Sequence, residues 1–546
     1  MIRRPCYLLA VFLYLVSGFS TTGIHAEEPR FSEDAYRAHF EFLAHDLLEG
    51  RAPGHRGGDL AALYIATQFK AAGLEPISQE QGHLQAVPLV RMSTDKQSLS
   101  FTLTAGEYEV SLDPESDVIV ISELEGDDIR FSEELIYVGY GINAPEYDWD
   151  DYKGVDIEGK IAVMLGNDPD FEKTGFASES ISYYGMWFYK EEIARLKGAK
   201  GLILLHSDET LLAPFSALLN TLANGLVSLE EKGASPLPLL AVISQPAIDR
   251  ALAPLELDFM KLKEEADSKD FRPRSLGLQA DLTFRSTHER FFSPNVIGVL
   301  PGTSMADEAV IYMAHYDHLG IGPMVDGDEI YNGARDNASG TAALICLAHA
   351  FASQPSKRTI IFLATTAEET GMHGTEYYAE HPIIPLERTV VALNKDVCSV
   401  WGRRDGFKAF PVQYTDAAET MREIGERQDL QLHIGGADIH GSAFRVDAFP
   451  LNARGIVALS VWLDGDPLDT TEEEIDKAKE TIGRWYHQPN DEIYPFFRFD
   501  GAVQELEILY AAGRYFADSE KAPSLNPENP FKPARRMKEL LKDLSH

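Results

Sequence analysis

The feature that most constrains the fold of this chain is an alternation of apolar and amphipathic runs that begins near residue 295. The apolar runs are "AVIYMAH", "RTIIFLATT", "RTVVALN" and "GIVALSVW", and the amphipathic runs include "SGTAALICLAHAFAS" and "GAVQELEILYAAGRYFA". Apolar strands that alternate with helices are typical of a mainly parallel sheet covered on both faces. The pattern predicts an α/β fold with a mainly parallel mixed sheet flanked by helices. In such folds the active site lies beyond the carboxyl ends of the strands.

The chain before this alternation has a different sequence pattern. Two helices are predicted in "FSEDAYRAHFEFLAHDLLEG" and "GGDLAALYIATQFKAAGLEP", the second with a stop signal at Gly73 and Pro76. From about residue 80 to 285 the sequence changes to short alternating strands and turns, with one amphipathic helix in "WFYKEEIARLKG". This region holds no dense group of His, Cys or acidic residues. The sequence therefore predicts a separate β-rich domain there.

The first residues, "MIRRPCYLLAVFLYLVSGFSTTGIHAEE", combine a basic start, an apolar stretch and small residues before an acidic segment. This pattern predicts a signal peptide over residues 1–26, and the apolar stretch is short for a membrane span. The protein is therefore expected to be exported, either periplasmic or secreted, with no membrane span after cleavage. An uncleaved anchor helix is the alternative.

Charge and cysteine usage exclude other classes. The chain has 86 acidic against 49 basic residues, which argues against nucleic acid because phosphates need Lys and Arg. After cleavage only Cys346 and Cys398 remain, both within apolar segments, so two buried thiols are favoured over a disulfide framework. The tail "KAPSLNPENPFKPARRMKELLKDLSH" is Pro-rich, then basic and helical. It is interpreted as a frayed end rather than a docking segment.

Acidic or imidazole side chains follow each strand of the alternating region. In chain order they are His315 and Asp317 in "AHYDHLG", Asp336 in "NGARDNASG", Glu368 and Glu369 in "AEETG", Asp396 in "LNKDV", and His487 in "WYHQPNDEI". Taken singly each is a weak signal, because a lone Asp before a helix is more often a cap. Their repetition at successive strand ends of one sheet favours a common site.

The residue types indicate a metal site. Two histidines with carboxylates and no thiolate suit zinc or a similar divalent ion. The set is too large for one four-coordinate zinc, but it suits two ions roughly 3.5–4 Å apart that share a carboxylate. A further carboxylate must move the proton of the attacking water. Spacing alone leaves open which of Glu368 and Glu369 contacts metal. Asp317 is placed to accept the other ring N–H of His315.

The series "HYDHLG", "GARDNASG", "AEETGMHGT", "NKD" and "YHQPNDE" resembles the secreted di-zinc aminopeptidase family, which includes glutamate carboxypeptidase and the transferrin receptor ectodomain. The segment "LIYVGYGINAPEYDWDDYKGVDIEGKIAVML" with "GAKGLILLH" looks like the inserted protease-associated domain of the longer members. The resemblance implies a zinc exopeptidase (phosphorylase/hydrolase-like) fold. It divides the chain into a signal peptide (1–26), an N-terminal helical part (27–80), a β-rich region (81–285) with the protease-associated domain at about 130–250, a zinc peptidase domain (286–520) and a tail (521–546).

The resemblance also implies roles for residues of this chain. Two Zn²⁺ ions per chain would be held by His315, Asp336, Glu369, Asp396 and His487, with Asp336 bridging. Glu368 becomes the general base, and Asp317 the carboxylate that supports His315. The stretch "GGADIHGSAF" departs from the family pattern, so His440 is either a substrate-binding residue or a loop histidine. Other divalent ions remain open.

The leading functional hypothesis is an exported aminopeptidase that acts on peptides. A carboxypeptidase or dipeptidase for acidic residues is the first alternative, with four arginines that could grip a carboxylate or form surface ion pairs: Arg403, Arg404, Arg445 and Arg454. A non-catalytic peptidase-like ectodomain is disfavoured because all five ligands and the base are present. A single-zinc glutaminyl cyclase would leave His315 and Asp396 without a second ion. The oligomeric state is not predicted.

Overall fold

A computed structural model describes residues 30–208, 213–230 and 236–544. The predicted signal peptide, residues 1–26, lies outside the described residues. In the described part of the chain, no helix combines the length and the apolar character that a bilayer crossing requires.

Two helices open the described chain, as the sequence predicts. Helix α1 (Glu33–Leu43) begins where the Ser32 side chain accepts a hydrogen bond from a backbone N–H of the first turn. Helix α2 (Arg56–Ala72) ends at Gly73, whose φ of 84° is in the left-handed region that favours glycine. Both helices bury an apolar face.

The middle region, residues 81–285, is rich in short strands. Its strands are β1 (Leu84–Thr94), β2 (Ser100–Ala105), β3 (Tyr108–Ser111), β4 (Val118–Ile121), β5 (Gly126–Tyr137), β6 (Asn143–Ala144), β7 (Trp149–Asp150), β8 (Ile161–Leu165), β9 (Gly201–His206), β10 (Leu226–Leu229) and β11 (Leu239–Ser244). Its helices are α3 (Phe171–Thr174), α4 (Trp187–Leu196), α5 (Phe215–Thr221), α6 (Gln245–Leu252) and α7 (Phe259–Ala266). The central strands β8 and β9 are buried along their whole length.

A long strand, β12 (Arg274–Leu300), leaves the middle region and enters the C-terminal region. Its first half pairs antiparallel with β2 and β5, and its second half pairs antiparallel with β1. The predicted domain boundary at residue 285 falls inside this strand. The division into domains stays a prediction.

The C-terminal region, residues 286–520, repeats strand and helix. Its further strands are β13 (Met305–His315), β14 (Gly320–Val325), β15 (Asp328–Tyr331), β16 (Arg358–Thr365), β17 (Thr389–Asn394), β18 (Arg404–Phe410), β19 (Gln431–Leu432) and β20 (Ala458–Pro467). Its helices, with the tail helix α14, are α8 (Ser339–Ala352), α9 (His373–Glu380), α10 (Ala418–Glu426), α11 (Ala448–Ala453), α12 (Glu472–Ile482), α13 (Asp500–Asp518) and α14 (Lys532–Leu544).

One mixed sheet runs through both regions in the order β19-β18-β20-β17-β13-β16-β12-β5-β8-β9-β11-β4. Strands β13, β16, β17 and β20 are parallel to one another. Strands β16 and β17 are buried at every position, and β13 is buried over its last seven residues. The predicted α/β class, with a mixed sheet flanked by helices, is confirmed. Because the four strands run the same way, their carboxyl ends meet at one edge of the sheet.

The tail is docked, so its interpretation as a frayed end is wrong. Phe531 and Ala534 are fully buried, and Met537 is nearly so. On the polar side of α14, Lys538 pairs with Glu376 and Arg536 pairs with Glu146. Among its basic residues the tail carries apolar residues at helical spacing. Burial of these apolar residues packs the helix against the middle region and the C-terminal region.

Replacing Lys538 by Met is expected to destabilise the protein at neutral pH, by roughly 1–3 kcal/mol. Burial by itself would raise the pKa of Glu376, but ion pairs with Lys538 and Arg454 outweigh it and hold this pKa well below its usual range. A carboxyl whose pKa falls on folding adds stability above its unfolded pKa of about 4.3 and loses that stability as pH falls through the folded pKa.

The difference in Tm between Lys538→Met and the parent should therefore be largest at pH 6–8 and should shrink below pH about 4. Lys542→Met, at an exposed position of the same helix, is the matched control and should leave Tm unchanged. A Tm difference that is equal at pH 7 and pH 3.5 would contradict the ion-pair explanation.

Candidate active site

All five predicted ligands converge at the edge where the parallel strands end. His315 closes β13 and lies opposite Thr365, the last residue of β16. Two of the others, Asp336 and His487, come from loops that reach the same edge. Three members of the set are buried, namely His315, Asp336 and His487. The other two, Glu369 and Asp396, are half-buried.

Three of the five residues form a first group that could hold a metal ion, namely His315, Asp336 and Asp396. His315 Nε2 lies 3.4 Å from Asp336 Oδ1 and 3.5 Å from Asp396 Oδ1. The histidine itself is almost completely buried. The three donor atoms thus face one another at the end of the sheet.

A second group shares Asp336. His487 Nε2 lies 2.8 Å from Glu369 Oε2 and 3.8 Å from Asp336 Oδ2. Asp336 therefore turns one oxygen toward each histidine, which is the arrangement that a bridging carboxylate needs. His318 joins this group as well, because its Nδ1 hydrogen-bonds Glu369 Oε1 and it lies within metal-binding reach of Asp336 and Glu369.

The donor set fits divalent cations. The Nε2 atoms of His315, His318 and His487 are buried, and none makes a hydrogen bond of normal geometry with the described residues. Buried polar atoms are normally satisfied, so imidazole nitrogens that face carboxylates without a well-aligned hydrogen bond fit a site for a bound cation. Nitrogen and carboxylate donors without thiolate match zinc.

Glu368 and Glu369 occupy a turn, where the alternation of a strand has ended. Strand β16 stops at Thr365, and Ala367 has a φ of 54°. The amides of Gly371 and Met372 both donate to the carbonyl of Glu368 and close the turn. Both carboxylates can therefore face the same site.

The two neighbours have opposite electrostatic environments. Burial, reinforced by the Asp396 carboxylate and opposed by His315, raises the pKa of Glu368 well above its usual range. Burial would also raise the pKa of Glu369, but His487 and His318 outweigh it and hold this pKa well below its usual range. Environments that separate two pKa values in this way are typical of carboxylates with different roles.

Asp317 lies beneath the turn and beside the His315 ring. Its Oδ1 accepts a hydrogen bond from the Glu368 amide at 3.1 Å and lies 3.9 Å from His315 Nδ1, beyond hydrogen-bond reach. The nearer oxygen to Nδ1 is the Asp317 carbonyl, at 3.3 Å. Burial raises the pKa of Asp317 to about 7. Its clearest contact therefore positions the backbone of Glu368.

Two supporting residues were not identified from the sequence. Arg51, from the predicted loop "GRAPGHRGG", is fully buried and donates to the backbone carbonyls of Tyr316, Asn332 and Gly333. These carbonyls belong to the loops that carry the ligands, so the N-terminal part of the chain shapes the site. Asp491 accepts from the amide of Asp336 at 3.0 Å and fixes the shared ligand.

A cavity of about 230 Å³ opens beside Glu368, Glu369 and His487, which line one end of it. Tyr486 also lines the cavity, with its ring stacked on His487 at a centroid distance of 3.8 Å. Arg445 Nη2 donates to Tyr486 Oη at 2.7 Å. The Tyr486 hydroxyl and the Arg445 guanidinium therefore lie in the same cavity as the carboxylate cluster, by which we mean Glu368, Glu369 and the other predicted ligands.

The other predicted substrate residues lie elsewhere. Three of the four arginines pair with acids: Arg403 with Asp469, Arg404 with Glu472, and Arg454 with Glu376. Of the four, only Arg445 lines the cavity. His440 is exposed and is absent from the lining residues, so its position does not support a role in substrate binding.

Comparison with known proteins identifies the region that carries this cluster. Residues 295–496 match the family model described as Peptidase family M28. "Aminopeptidase YwaD" of Bacillus subtilis is 30% identical over 240 residues, which are 42% of this chain and 46% of that protein. A "Probable glutamate carboxypeptidase" of Arthroderma benhamiae is 29% identical over 42% of this chain and 35% of that protein. The matches span less than half of each of these relatives.

Among solved structures, the aminopeptidase from Aneurinibacillus sp. strain AM-1 matches 92% of this chain and 97% of its own chain. The TM-score is 0.54 and the sequence identity is 19%. This likeness shows the fold.

Proposed function

We propose, from the match of residues 295–496 to the model of Peptidase family M28, that this protein is a zinc-dependent aminopeptidase acting on the N-terminal bond of peptides. The observation that carries the proposal is the pair of metal-binding groups that share Asp336 at the mouth of a cavity. Glu368 lies beside the first group, with its Oε2 3.9 Å from His315 Nε2, and belongs to neither group.

In this proposal His315 and Asp396 would hold one ion, Glu369 and His487 would hold a second, and Asp336 would belong to both sets of ligands. Zinc at such a site supplies Lewis-acid polarisation of a carbonyl and increases the acidity of water. Glu368 accepts the proton of the attacking water and delivers it to the departing amine as the C–N bond breaks. Asp317 holds the Glu368 backbone in place for this transfer.

Tyr486 and Arg445 are the donors of the cavity that stand closest to the cluster. A phenol and a guanidinium that are already hydrogen-bonded to each other cost little to reorganise during the reaction. We infer that they stabilise the negative charge that develops on the carbonyl oxygen.

One observation favours a second candidate, a carboxypeptidase or dipeptidase for acidic residues. Among the described residues, Arg445 forms no ion pair with a carboxylate, although it lines the cavity. A guanidinium in that position suits a substrate carboxylate. The aminopeptidase remains the leading proposal because most of the other residues that line the cavity are apolar.

The test compares a leucyl anilide with an N-blocked dipeptide on the zinc-loaded protein. We expect hydrolysis of the anilide, loss of that activity after chelation, and recovery when zinc is added back. Hydrolysis of the blocked dipeptide alone would instead establish the carboxypeptidase. Activity that survives complete removal of metal would contradict the zinc proposal.

Export is part of the same proposal and rests on the signal-like residues 1–26. N-terminal sequencing of the mature protein checks it, with Glu27 expected as the first residue.

A further inference from the structure

We propose that the cavity beside the metal-binding groups holds the side chain of a large aliphatic or aromatic N-terminal residue, and that the middle region supplies the wall that selects it. This inference rests on the proposed aminopeptidase function. It concerns the substrate class, on which the family resemblance and the sequence motifs are silent.

The wall comes from several elements of the middle region. We call it the apolar wall and define it by six residues: Met186, Trp187, Leu204, Leu218, Leu222 and Leu240. They belong to α4 and its start, to β9, to α5 and its end, and to β11. All six precede residue 295, so they lie outside the segment that matches the peptidase family.

The apolar wall and the carboxylate cluster line the same cavity. Glu368, Glu369, Thr370 and His487 line the cavity together with the six residues of the apolar wall. A peptide whose terminal carbonyl reaches Glu368 has its first side chain within this cavity. The occupant is therefore part of the substrate rather than a separate ligand.

The charges that line the cavity disfavour a basic side chain. Among the described lining residues the only acids are Glu368 and Glu369, and both belong to the cluster end. The apolar wall offers no carboxylate to a lysine or arginine of the substrate. Burying an unpaired cation there would be costly.

The wall also offers little to an acidic side chain. Lys190 reaches the cavity lining but is fully buried, and its ammonium donates to the carbonyls of Tyr140 and Asn167 at 2.6 and 3.1 Å. Burial lowers the pKa of Lys190 to about 8, against the opposing effect of Asp168 and Asp151. A substrate carboxylate would have to compete with these acceptors and anions.

The size of the cavity fits the proposed side chains. At about 230 Å³ it has room for a leucine or phenylalanine side chain. Full burial of such a side chain contributes roughly 1.5–3 kcal/mol. If that energy is expressed in the transition state, kcat/KM should exceed that of an alanyl substrate by roughly 10- to 150-fold.

The first experiment measures kcat/KM of the zinc-loaded full-length protein for five aminoacyl anilides, those of Leu, Phe, Ala, Lys and Glu. Leu and Phe should exceed Ala by at least about tenfold, and they should exceed Lys and Glu by more. A preference for Lys or Glu, or equal rates for all five, would overturn the inference while leaving the aminopeptidase intact. Failure to cleave any of the five would count against the proposed function itself.

The second experiment places an acid on the apolar wall. Trp187 is 39% exposed and is the first residue of α4, where a glutamate is compatible with the helix dipole. Trp187→Glu should lower kcat/KM for the Phe anilide by about tenfold and raise kcat/KM for the Lys anilide. The ratio of Lys to Phe activity should therefore increase. The matched control is Leu63→Glu on α2, which is 61% exposed and outside the cavity.

The ratio of Lys to Phe activity separates a contact from a folding defect, because partial unfolding lowers both rates equally. An unchanged ratio in Trp187→Glu would show that the wall does not touch the substrate. Leu222→Ala provides a second test, because its enlarged cavity should raise kcat/KM for the Phe anilide relative to the Leu anilide. If both variants keep the parental ratios, the inference is wrong.

Discussion

Glu368→Gln is expected to lower kcat by about 10²- to 10⁴-fold while zinc binding is unchanged. Glutamine has nearly the shape of glutamate but cannot accept the proton of the attacking water. Its backbone amide can still donate to Asp317, so the turn that carries it should be preserved. The measurement is kcat for a leucyl anilide, with zinc per chain determined on the same sample.

The neighbouring substitution Glu369→Gln is the matched control, because it makes the same chemical change one residue away. Glu369 faces His487 and His318, and a neutral amide there removes a charged donor from the second group. We expect zinc affinity to fall at one site only, with activity partly restored by excess zinc. Near-normal turnover in Glu368→Gln would refute its role as the base.

Asp336→Asn should have an equally large effect, through loss of metal. Asp336 is the one residue common to both groups, with an oxygen 3.4 Å from His315 Nε2 and another 3.8 Å from His487 Nε2. An amide supplies one neutral oxygen in place of two charged ones. We expect the zinc content after dialysis to fall from two ions to less than one per chain, with kcat/KM reduced by at least about 10²-fold.

Thermal unfolding gives a readout that is independent of activity. Zinc is expected to bind the folded parent in preference to the unfolded chain, so it should raise Tm by an amount that depends on its concentration. That rise should be largely lost in Asp336→Asn and only reduced in Asp396→Asn, which touches one group. Two tightly held ions in Asp336→Asn, or one ion at saturation in the parent, would contradict the shared-ligand arrangement.

The strands of the C-terminal region and the positions of the candidate ligands were predictable because their signals are local. A buried strand is an uninterrupted apolar run, and the residue after it must lie at the edge of a parallel sheet. His315 and Asp396 could therefore be assigned to one edge without knowledge of any contact.

The supporting residues were not predictable in this way. Arg51 acts on carbonyls more than 260 positions away, and nothing in "GRAPGHRGG" indicates that its guanidinium is buried. Asp491 and His318 stand beside predicted ligands, but their partners depend on how two loops fold. The tail helix was misjudged because its five basic residues are evident in the local sequence, while the surfaces that contact its apolar residues are distant in sequence.

The sequence by itself determined the order of strands and helices, the nitrogen and carboxylate donor set, and the edge of the sheet where that set collects. These follow from side-chain periodicity and from the direction of parallel strands, which are properties of short segments. Only the tertiary structure decided that Asp336 faces both histidines, that Glu368 and Glu369 have opposite electrostatic environments, and that the middle region walls the cavity. Those properties depend on distances of a few ångströms between residues far apart in the chain, which are set when the regions pack.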